Sequence, residues 1–291
     1  MSASAAAPLA EREAAAASNP KMSSVSLEIY PELNGGSDDD TLRAVNEFVA
    51  GNPAFISVTC TKQDHEATLR LSVKVKELGQ VAALHLLGGD KTEEEARECI
   101  DGTVAAGVDR VVALRGDRIA KDKQTCDTVK LVELLQATGK MAEISVAGYP
   151  DVHPKAASET ADLEHLQRKI DAGAQRVISQ FSFNADSICR FRDAIAAQRP
   201  EASFSAGLLP VRDYAKTIKF ANKCETKVDE SLRNKFESVS REAHDGLARS
   251  VLKDLTVRLV AEGIDIHYYT LNKVDHITEA WLAATLSSNG A

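Results

Sequence analysis

Glu28 is the first residue of this sequence whose type and setting suit acid–base chemistry. Apolar and polar residues alternate from Val25 to Tyr30, so a strand here packs one face on helices and points Glu28 the other way, into the interior. A carboxyl group shielded from water acquires a raised pKa and can act as a general acid. A structural glutamate paired with an interior Arg or Lys is the alternative.

A charged tripeptide follows a later apolar run. Arg115, Gly116 and Asp117 come directly after Arg110–Leu114, and the glycine lets the backbone approach a ligand closely. An Arg–Asp pair on the surface would explain the same residues.

A loop framed by two prolines holds further candidates. It runs from Gly148 to Pro154, and its stiff backbone would hold Tyr149 and His153 in fixed positions for a ligand. Either residue could instead pack half-buried against the protein.

The next helical segment carries a polar stripe. Asp162, His165 and Lys169 are spaced i, i+3 and i+7, with Arg168 beside them. Residues at this spacing share one helix face, where they can bind diphosphate oxygens and ribose hydroxyls. A solvated, salt-bridged helix face is the alternative.

Weaker candidates end other apolar runs, namely Gln180, His85 and Thr59. The Gln180 amide can form hydrogen bonds with the edge of a heterocycle. Alternatively, neighbouring residues inside the barrel can satisfy its hydrogen-bonding groups. The seven histidines show no metal-ligand spacing, and no Ser-His-Asp or Cys-His arrangement is present, so we expect no metal site.

The elements that position these residues alternate along the chain. Apolar and β-branched runs predict eight strands, at Val25–Tyr30, Phe55–Val58, Val81–Leu86, Arg110–Leu114, Ile144–Tyr149, Arg176–Phe181, Ser203–Leu208 and Ile264–Tyr269. Helical spacing fills the gaps, for example at Asp39–Ala50, Ala67–Leu78, Thr92–Ala106, Ala161–Ala172 and Asp186–Gln198. Glycines suited to cap helices precede four strands, at Gly79, Gly107, Gly173 and Gly263.

This alternation predicts an α/β fold, a (β/α)8 TIM-type barrel of roughly 250 residues with its active site at the C-terminal ends of the strands. An open doubly wound sheet is the structural rival. Its dinucleotide-binding form carries G-x-G-x-x-G after the first strand, which this chain lacks. The segment Lys223–Val251 is longer than one connection requires, which predicts an extra helix before the last strand.

Composition restricts the class of protein. Of 291 residues, 44% are hydrophobic, enough for a large core and too many for a disordered chain. The net charge of −8 argues against nucleic-acid or membrane-surface binding, and no apolar run approaches the roughly 18–20 residues of a membrane span. Five scattered cysteines without a C-x-x-C pair indicate a reducing cytoplasm.

Residues 1–24 differ from the rest, with nine alanines and no apolar periodicity. Glu11 and Glu13 argue against a secretory or transit peptide, so we predict a disordered tail followed by one catalytic domain over residues 25–291.

Together and in this order, these segments resemble the flavin-dependent 5,10-methylenetetrahydrofolate reductases of the bacterial single-domain type. The matching segments are Ser26–Pro31 (SLEIYP), Ser57–Thr59 (SVT), Ala113–Asp117 (ALRGD), Ile144–Pro154 (ISVAGYPDVHP), Asp162–Leu166 (DLEHL), Asp171–Ala174 (DAGA), Gln180–Phe181 (QF), Gly207–Val211 (GLLPV) and Tyr268–Asn272 (YYTLN). No single segment is decisive, but the ordered set is specific.

The resemblance implies a barrel that holds FAD and a ping-pong reaction. NADH or NADPH would reduce the flavin and leave, and 5,10-methylenetetrahydrofolate would then take the hydride to become 5-methyltetrahydrofolate. The physiological direction stays open, since the same enzyme run in reverse oxidises methyl-folate. A homo-oligomer is also expected.

The resemblance further implies roles for the residues that contact folate. Glu28 matches the general acid that opens the five-membered ring of the folate, which requires a desolvated, neutral carboxyl. Asp117 matches the aspartate that stabilises the cationic iminium and tunes the flavin, and Gln180 matches a glutamine that contacts folate and nicotinamide in turn. Tyr214 takes the place of an aromatic that stacks on either substrate, and Lys273 that of an arginine near the folate tail.

Twelve positions match the family's FAD site. They are Thr59, His85, Arg115, Gly116, Asp117, Tyr149, His153, Ala156, Asp162, His165, Arg168 and Lys169. The chain departs from the family pattern at Glu32, which replaces the second proline of Pro-Pro, at Cys60–Lys62, which lacks a glycine, at Leu87, which replaces a threonine, and at Thr128–Val129, which replace Tyr-Ala. These changes bear on FAD affinity and nicotinamide preference and leave the three catalytic positions intact.

Two other functions fit part of the sequence. A flavin-free relative would transfer hydride directly from NADH to folate; the altered loops leave room for it, and the retained Tyr149–Lys169 segment counts against it. A barrel that binds folate or flavin as a sensor needs no general acid, so the presence of Glu28 with Asp117 counts against that function.

Overall fold

The computed structural model describes residues 23–32, 37–48, 51–117, 120 and 124–288. Eight parallel strands close into a barrel in sequence order, with the last strand paired to the first. The strands are β1 Val25–Ile29, β2 Phe55–Val58, β3 Ala82–Leu87, β4 Arg110–Leu114, β5 Glu143–Gly148, β6 Arg176–Ser179, β7 Ser203–Leu208 and β8 Asp265–Tyr269. The predicted (β/α)8 barrel is therefore confirmed: three strands have the predicted bounds, and the ends of the others differ by no more than two residues.

Helices connect the strands around the outside of the barrel. In the described ranges they are α1 Asp38–Glu47, α2 His65–Glu77, α3 Glu93–Ala105, α4 Thr128–Ala137, α5 Glu159–Asp171, α6 Ala185–Gln198, α7 Tyr214–Lys223, α8 Glu230–Glu237, α9 His244–Ala261 and α10 Asp275–Ser288. The extra helix predicted before the last strand is confirmed as α8. None of these helices is long and apolar enough to cross a membrane. Residues 1–22 of the predicted tail lie outside the described residues.

Side-chain caps begin many of these helices. At α3, the Glu95 amide donates to Thr92 Oγ1 at 3.3 Å and the Thr92 amide donates to the Glu95 carboxylate at 2.7 Å, which forms a capping box. Asp64, Asp127 and Ser158 cap α2, α4 and α5 in the same sense, by accepting a backbone N–H. These caps fix where each loop from strand to helix ends, and those loops carry the site in this fold.

Alternation along β1 divides its side chains between the helices and the lumen. Leu27 packs outward in a buried cluster with Leu252 of α9 and Ile277 of α10. Glu28 points inward, where its carboxyl group lies near His267 of β8. The orientation predicted for Glu28 from the sequence is confirmed.

The N-terminal end of the lumen is closed by an ionic layer. Arg176 contacts the Glu143 carboxylate at 3.1 Å and the Asp265 carboxylate at 3.0 Å, and its guanidinium carbon is 5.7 Å from the centre of the Phe55 ring. Arg110 adds a second contact to Glu143 at 3.2 Å. Two cations therefore balance two carboxylates in this layer, which lies below the site end of the barrel.

Candidate active site

Glu28 of β1 lies in the lumen between one histidine from β3 and one from β8. Its Oε2 is 3.6 Å from Nε2 of His85 in β3 and 3.9 Å from Nε2 of His267 in β8, and its side chain is 18% exposed. Burial raises the pKa of Glu28 to about 7, against a smaller opposing effect of His85. Among the described residues these histidines are its ion-pair neighbours, so the sequence alternative of pairing with Arg or Lys is not supported there.

Both histidines are neutral around pH 7. Burial lowers the pKa of His85 to about 4 and that of His267 to about 3, and the charge of Arg176 lowers the His267 value further. A carboxyl group shielded from water beside two neutral rings keeps its proton up to neutral pH, because burial disfavours the ionised form. This arrangement can donate a proton at pH 7.

The other two catalytic candidates lie at the mouth of the barrel. Asp117 is exposed just beyond β4, and its charge acts on Tyr149 and Cys224. Gln180 follows β6 and lines, together with Tyr149 and Cys224, a cleft of about 180 Å³. The charge of Glu28 also acts on Cys224. Cys224 is thus subject to the charges of both Glu28 and Asp117 and lies beside Gln180 in the lining of this cleft.

Five of the residues assigned to the FAD site form a second group beside this opening. Lys169 is 6% exposed and its ammonium donates to a backbone carbonyl of β5 at 2.8 Å. The Asp162 carboxylate accepts the backbone N–H of His153 at 2.8 Å, and the His153 ring packs edge-on against Tyr149 with centroids 4.5 Å apart. The charge of Arg115 acts on Tyr149, His153 and Lys169.

The charges of this second group fit a diphosphate. Arg115 and Lys169 contribute two cations, and Asp162 is the carboxylate that acts on Lys169. Burial lowers the pKa of Lys169 to about 8, so a nearby anion would stabilise its charged form. The donor set therefore suits the FAD that the sequence resemblance implies.

Gly116 has a backbone conformation that a side chain would strain. Its φ is +84°, and a Cβ atom there would lie 3.2 Å from Leu87 Cδ1. Glycine adopts this left-handed region without penalty, and the turn leaves the Arg115 Nε 3.4 Å from the Gly116 carbonyl. Leu87, a departure from the family pattern, is thus the residue that packs against this turn.

The remaining positions assigned to FAD have local contacts of their own. The Thr59 hydroxyl is 3.0 Å from that of Thr61 at the end of β2, and the Ala156 amide closes a turn onto the His153 carbonyl at 2.8 Å. On α5, the exposed Arg168 reaches His165 Nδ1 at 3.1 Å. Lys169 turns into the protein while Arg168 faces solvent, so the polar stripe on this helix is divided between a buried and a solvated side.

Tyr214 and Lys273 are not joined to either group by a contact in the described ranges. Tyr214 stacks on Phe236 of α8 with ring centroids 4.8 Å apart and an interplanar angle of 4°, and its edge faces His244 at 6.3 Å. One face of the Tyr214 ring is therefore occupied by Phe236 of the extra helix. The Lys273 side chain is exposed just after β8.

Three residues near Glu28 were not predicted as site residues. His267 and Tyr269 point into the lumen from β8, and the Tyr269 hydroxyl donates to a backbone carbonyl of β6 at 3.0 Å. The alternation rule that oriented Glu28 would have indicated both of them. Cys224 lies in a connection after α7, where no periodic pattern applies.

Solved structures share this fold. A Clostridium thermocellum protein described as binding two copies of 5-methyl-5,6,7,8-tetrahydrofolic acid superposes with a TM-score of 0.65 at 14% identity, over 97% of this chain and 100% of that chain. Dihydropteroate synthase of Yersinia pestis gives a TM-score of 0.54 at 11% identity, over 94% and 96% of the two chains. At these identities the likeness shows the fold alone.

Proteins related to this chain in sequence identify its family. The 5,10-methylenetetrahydrofolate reductase of Pectobacterium carotovorum subsp. carotovorum is 34% identical over 258 residues, 86% of each chain, and that of Escherichia coli K12 is 32% identical over 86% of this chain and 87% of its own. The family model described as methylenetetrahydrofolate reductase matches residues 13–283. The chain therefore belongs to the methylenetetrahydrofolate reductase family and is an enzyme of that family, whose reaction is the reduction of methylenetetrahydrofolate.

Proposed function

We propose that the protein reduces 5,10-methylenetetrahydrofolate to 5-methyltetrahydrofolate with hydride from NADH or NADPH, through bound FAD and in two separate half-reactions. The observation that carries this proposal is the setting of Glu28, which lies in the lumen between two neutral histidines and has a pKa of about 7. Opening the folate ring needs a proton donor at neutral pH. A solvated glutamate, with a pKa of about 4.3, would already be ionised there.

Each catalytic residue has a distinct task in this proposal. Glu28 gives its proton to the nitrogen that leaves when the five-membered ring of the folate opens. The Asp117 carboxylate at the mouth then stabilises the positive charge of the resulting iminium. The Gln180 Oε1 accepts the backbone N–H of Phe181 at 3.0 Å, which leaves the NH₂ group of Gln180 free to contact the ligand.

The second group of residues would hold the cofactor. When bound, FAD supplies the redox centre that takes a hydride from the nicotinamide and gives it to the methylene carbon. Arg115 and Lys169 would hold its diphosphate, and Tyr149 and His153 would pack beside it. One oxygen of Asp162 is engaged by the His153 amide, so the other remains available for a hydroxyl group of the cofactor.

Anaerobic absorbance spectroscopy of the purified protein tests this function. A yellow protein that bleaches with NADH or NADPH and regains its colour with 5,10-methylenetetrahydrofolate would support both half-reactions. A colourless protein that consumes NADH only when the folate is present would instead establish direct hydride transfer, and the proposed FAD site would be wrong.

The folate half-reaction is expected to slow as pH rises. The acid form of Glu28 predominates below its raised pKa of about 7 and is lost above it, so the rate should fall by about tenfold for each pH unit beyond roughly pH 8. Stopped-flow reoxidation of the reduced enzyme by folate, from pH 6 to 9, measures this. Flavin reduction by NADH serves as the control and should not follow the same curve. A folate rate that is constant across this range would contradict the role of Glu28.

Replacing Lys169 with methionine is expected to weaken FAD binding by about 10- to 100-fold, because a hydrogen bond to a charged group contributes roughly 1.5–3 kcal/mol. Titration of the apoprotein with FAD, followed by flavin fluorescence, measures the change. The matched control is Lys253→Met, at an exposed position of α9, which should bind FAD as the unmodified protein does. Equal affinities for Lys169→Met and the unmodified protein would remove Lys169 from the FAD site, provided that thermal unfolding shows the variant to be folded.

A further inference from the structure

We propose that Ser26 is a positioning residue, whose hydroxyl holds His267 in the neutral tautomer protonated on Nδ1, so that the bare Nε2 faces Glu28 and favours the protonated carboxyl. The hydrogen-bond geometry of the barrel seam carries the tautomer assignment. Its catalytic consequence rests on the proposed function of Glu28.

Ser26 and His267 are register partners where the barrel closes between β1 and β8. Ser26 Oγ lies 2.7 Å from His267 Nδ1 and 3.3 Å from the carbonyl oxygen of Ile266. A hydroxyl group has one proton to donate. If that proton goes to the Ile266 carbonyl, Nδ1 must carry its own proton and donate it to Oγ, and both contacts are hydrogen bonds. In the opposite tautomer, protonated on Nε2, the Ser26 hydroxyl must donate its proton to Nδ1, so the contact with the Ile266 carbonyl is no longer a hydrogen bond.

The other nitrogen of the same ring faces the general acid. Nε2 of His267 lies 3.9 Å from Oε2 of Glu28. A lone pair at this position repels a carboxylate and attracts the O–H of a carboxylic acid, so the tautomer set by Ser26 stabilises the acid form. His267 is 1% exposed and subject to the charge of Arg176, which disfavours the doubly protonated ring.

In the part of the chain that the structure describes, the groups that face Glu28 from other elements are neutral at pH 7. From β3 comes His85, whose buried Nε2 has no hydrogen-bond partner among the described residues. From β8 comes the hydroxyl of Tyr269, and from the connection after α7 the thiol of Cys224, whose pKa is raised by burial. Ser57 of β2 is the register partner of Glu28. The protonation state of Glu28 therefore depends on the orientation of neutral dipoles, and Ser26 controls one of them.

The tautomer can be read directly by NMR. Long-range ¹H–¹⁵N correlation spectra of the full chain, labelled with ¹⁵N-histidine, distinguish a protonated Nδ1 from a protonated Nε2, and His267→Gln identifies the signal by its loss. We expect His267 to carry its proton on Nδ1 from pH 6 to 8. A proton on Nε2, or on both nitrogens, would overturn the proposal. This measurement needs neither FAD nor turnover, so its result is independent of the proposed function.

The consequence for Glu28 is tested with Ser26→Ala. Without the hydroxyl, His267 should change to the Nε2-protonated tautomer, whose N–H stabilises the Glu28 carboxylate. The pH profile of folate reduction should then move down by about one unit, with about a tenfold lower rate above neutral pH, while flavin reduction by NADH is unchanged. Ser26→Thr, which keeps the hydroxyl, should restore the original profile.

The matched control is Ser57→Ala, which deletes a buried lumen hydroxyl that has no hydrogen-bond partner among the described residues. Because no hydrogen bond fixes the orientation of this hydroxyl, its loss should shift the pH profile much less than Ser26→Ala does. An unchanged profile in Ser26→Ala, or equal shifts in Ser26→Ala and Ser57→Ala, would overturn the proposal, since loss of lumen polarity would then explain the effect. If the unmodified protein shows no folate reduction while His267 carries its proton on Nδ1, the proposed function fails and the tautomer assignment stands.

Discussion

Glu28→Gln is expected to abolish folate reduction, with a loss of about 10²- to 10⁴-fold, and to leave the reduction of bound flavin by NADH nearly intact. The amide has nearly the shape of the carboxyl group but cannot donate the proton that opens the folate ring. Hydride transfer from nicotinamide requires no proton from this position. Stopped-flow absorbance under anaerobic conditions measures the two half-reactions separately and so isolates the effect.

Two controls separate this effect from a general disturbance of the lumen. Thermal unfolding of Glu28→Gln should show no loss of stability, because the variant removes a carboxyl group whose ionised form is disfavoured by burial. Glu28→Asp keeps an acid but withdraws it by one methylene group, so it should retain part of the activity. Equal losses in both half-reactions of Glu28→Gln would contradict the assignment of Glu28 as the folate acid.

The sequence predicted the strands well because each strand is short, apolar and bounded by polar connections. Alternation within Val25–Tyr30 was enough to orient Glu28, since successive side chains of a strand point to opposite faces. The length of Lys223–Val251 predicted α8 in the same direct way, because a single crossover does not need so many residues. Strand alternation and connection length are local properties of the chain, so the sequence pattern alone can predict them.

The surroundings of Glu28 could not be predicted in that way. Ser26 and His267 are 241 residues apart in sequence and meet only because the barrel closes between its first and last strands. The stacking of Tyr214 on Phe236 likewise depends on where α8 packs. On α5, helical spacing cannot tell which side of the helix faces the barrel, so it could not show that Lys169 is buried and its neighbour Arg168 exposed. Tertiary packing decides all three cases.

Arg176→Ala is expected to destabilise the barrel by about 3–5 kcal/mol, the range typical of removing one partner from a buried ion pair. The Arg176 and Asp265 side chains are each 10% exposed and that of Glu143 is 13% exposed, so the two carboxylates would stay buried with less compensating charge. Urea unfolding measures the free energy of unfolding. The matched control is Arg97→Ala, whose 4.0 Å pair with Glu93 lies on the helix surface and should contribute less than about 1 kcal/mol.

A triple variant separates the two explanations of such a loss. Arg176→Met with Glu143→Gln and Asp265→Asn removes the arginine together with both carboxylate charges. If the loss in Arg176→Ala comes from uncompensated buried charge, the triple variant should recover much of the stability, because neutral groups of similar volume have no such penalty. A triple variant as unstable as Arg176→Ala would show instead that the direct contacts of the guanidinium, including the one to the Phe55 ring, hold this end of the barrel together.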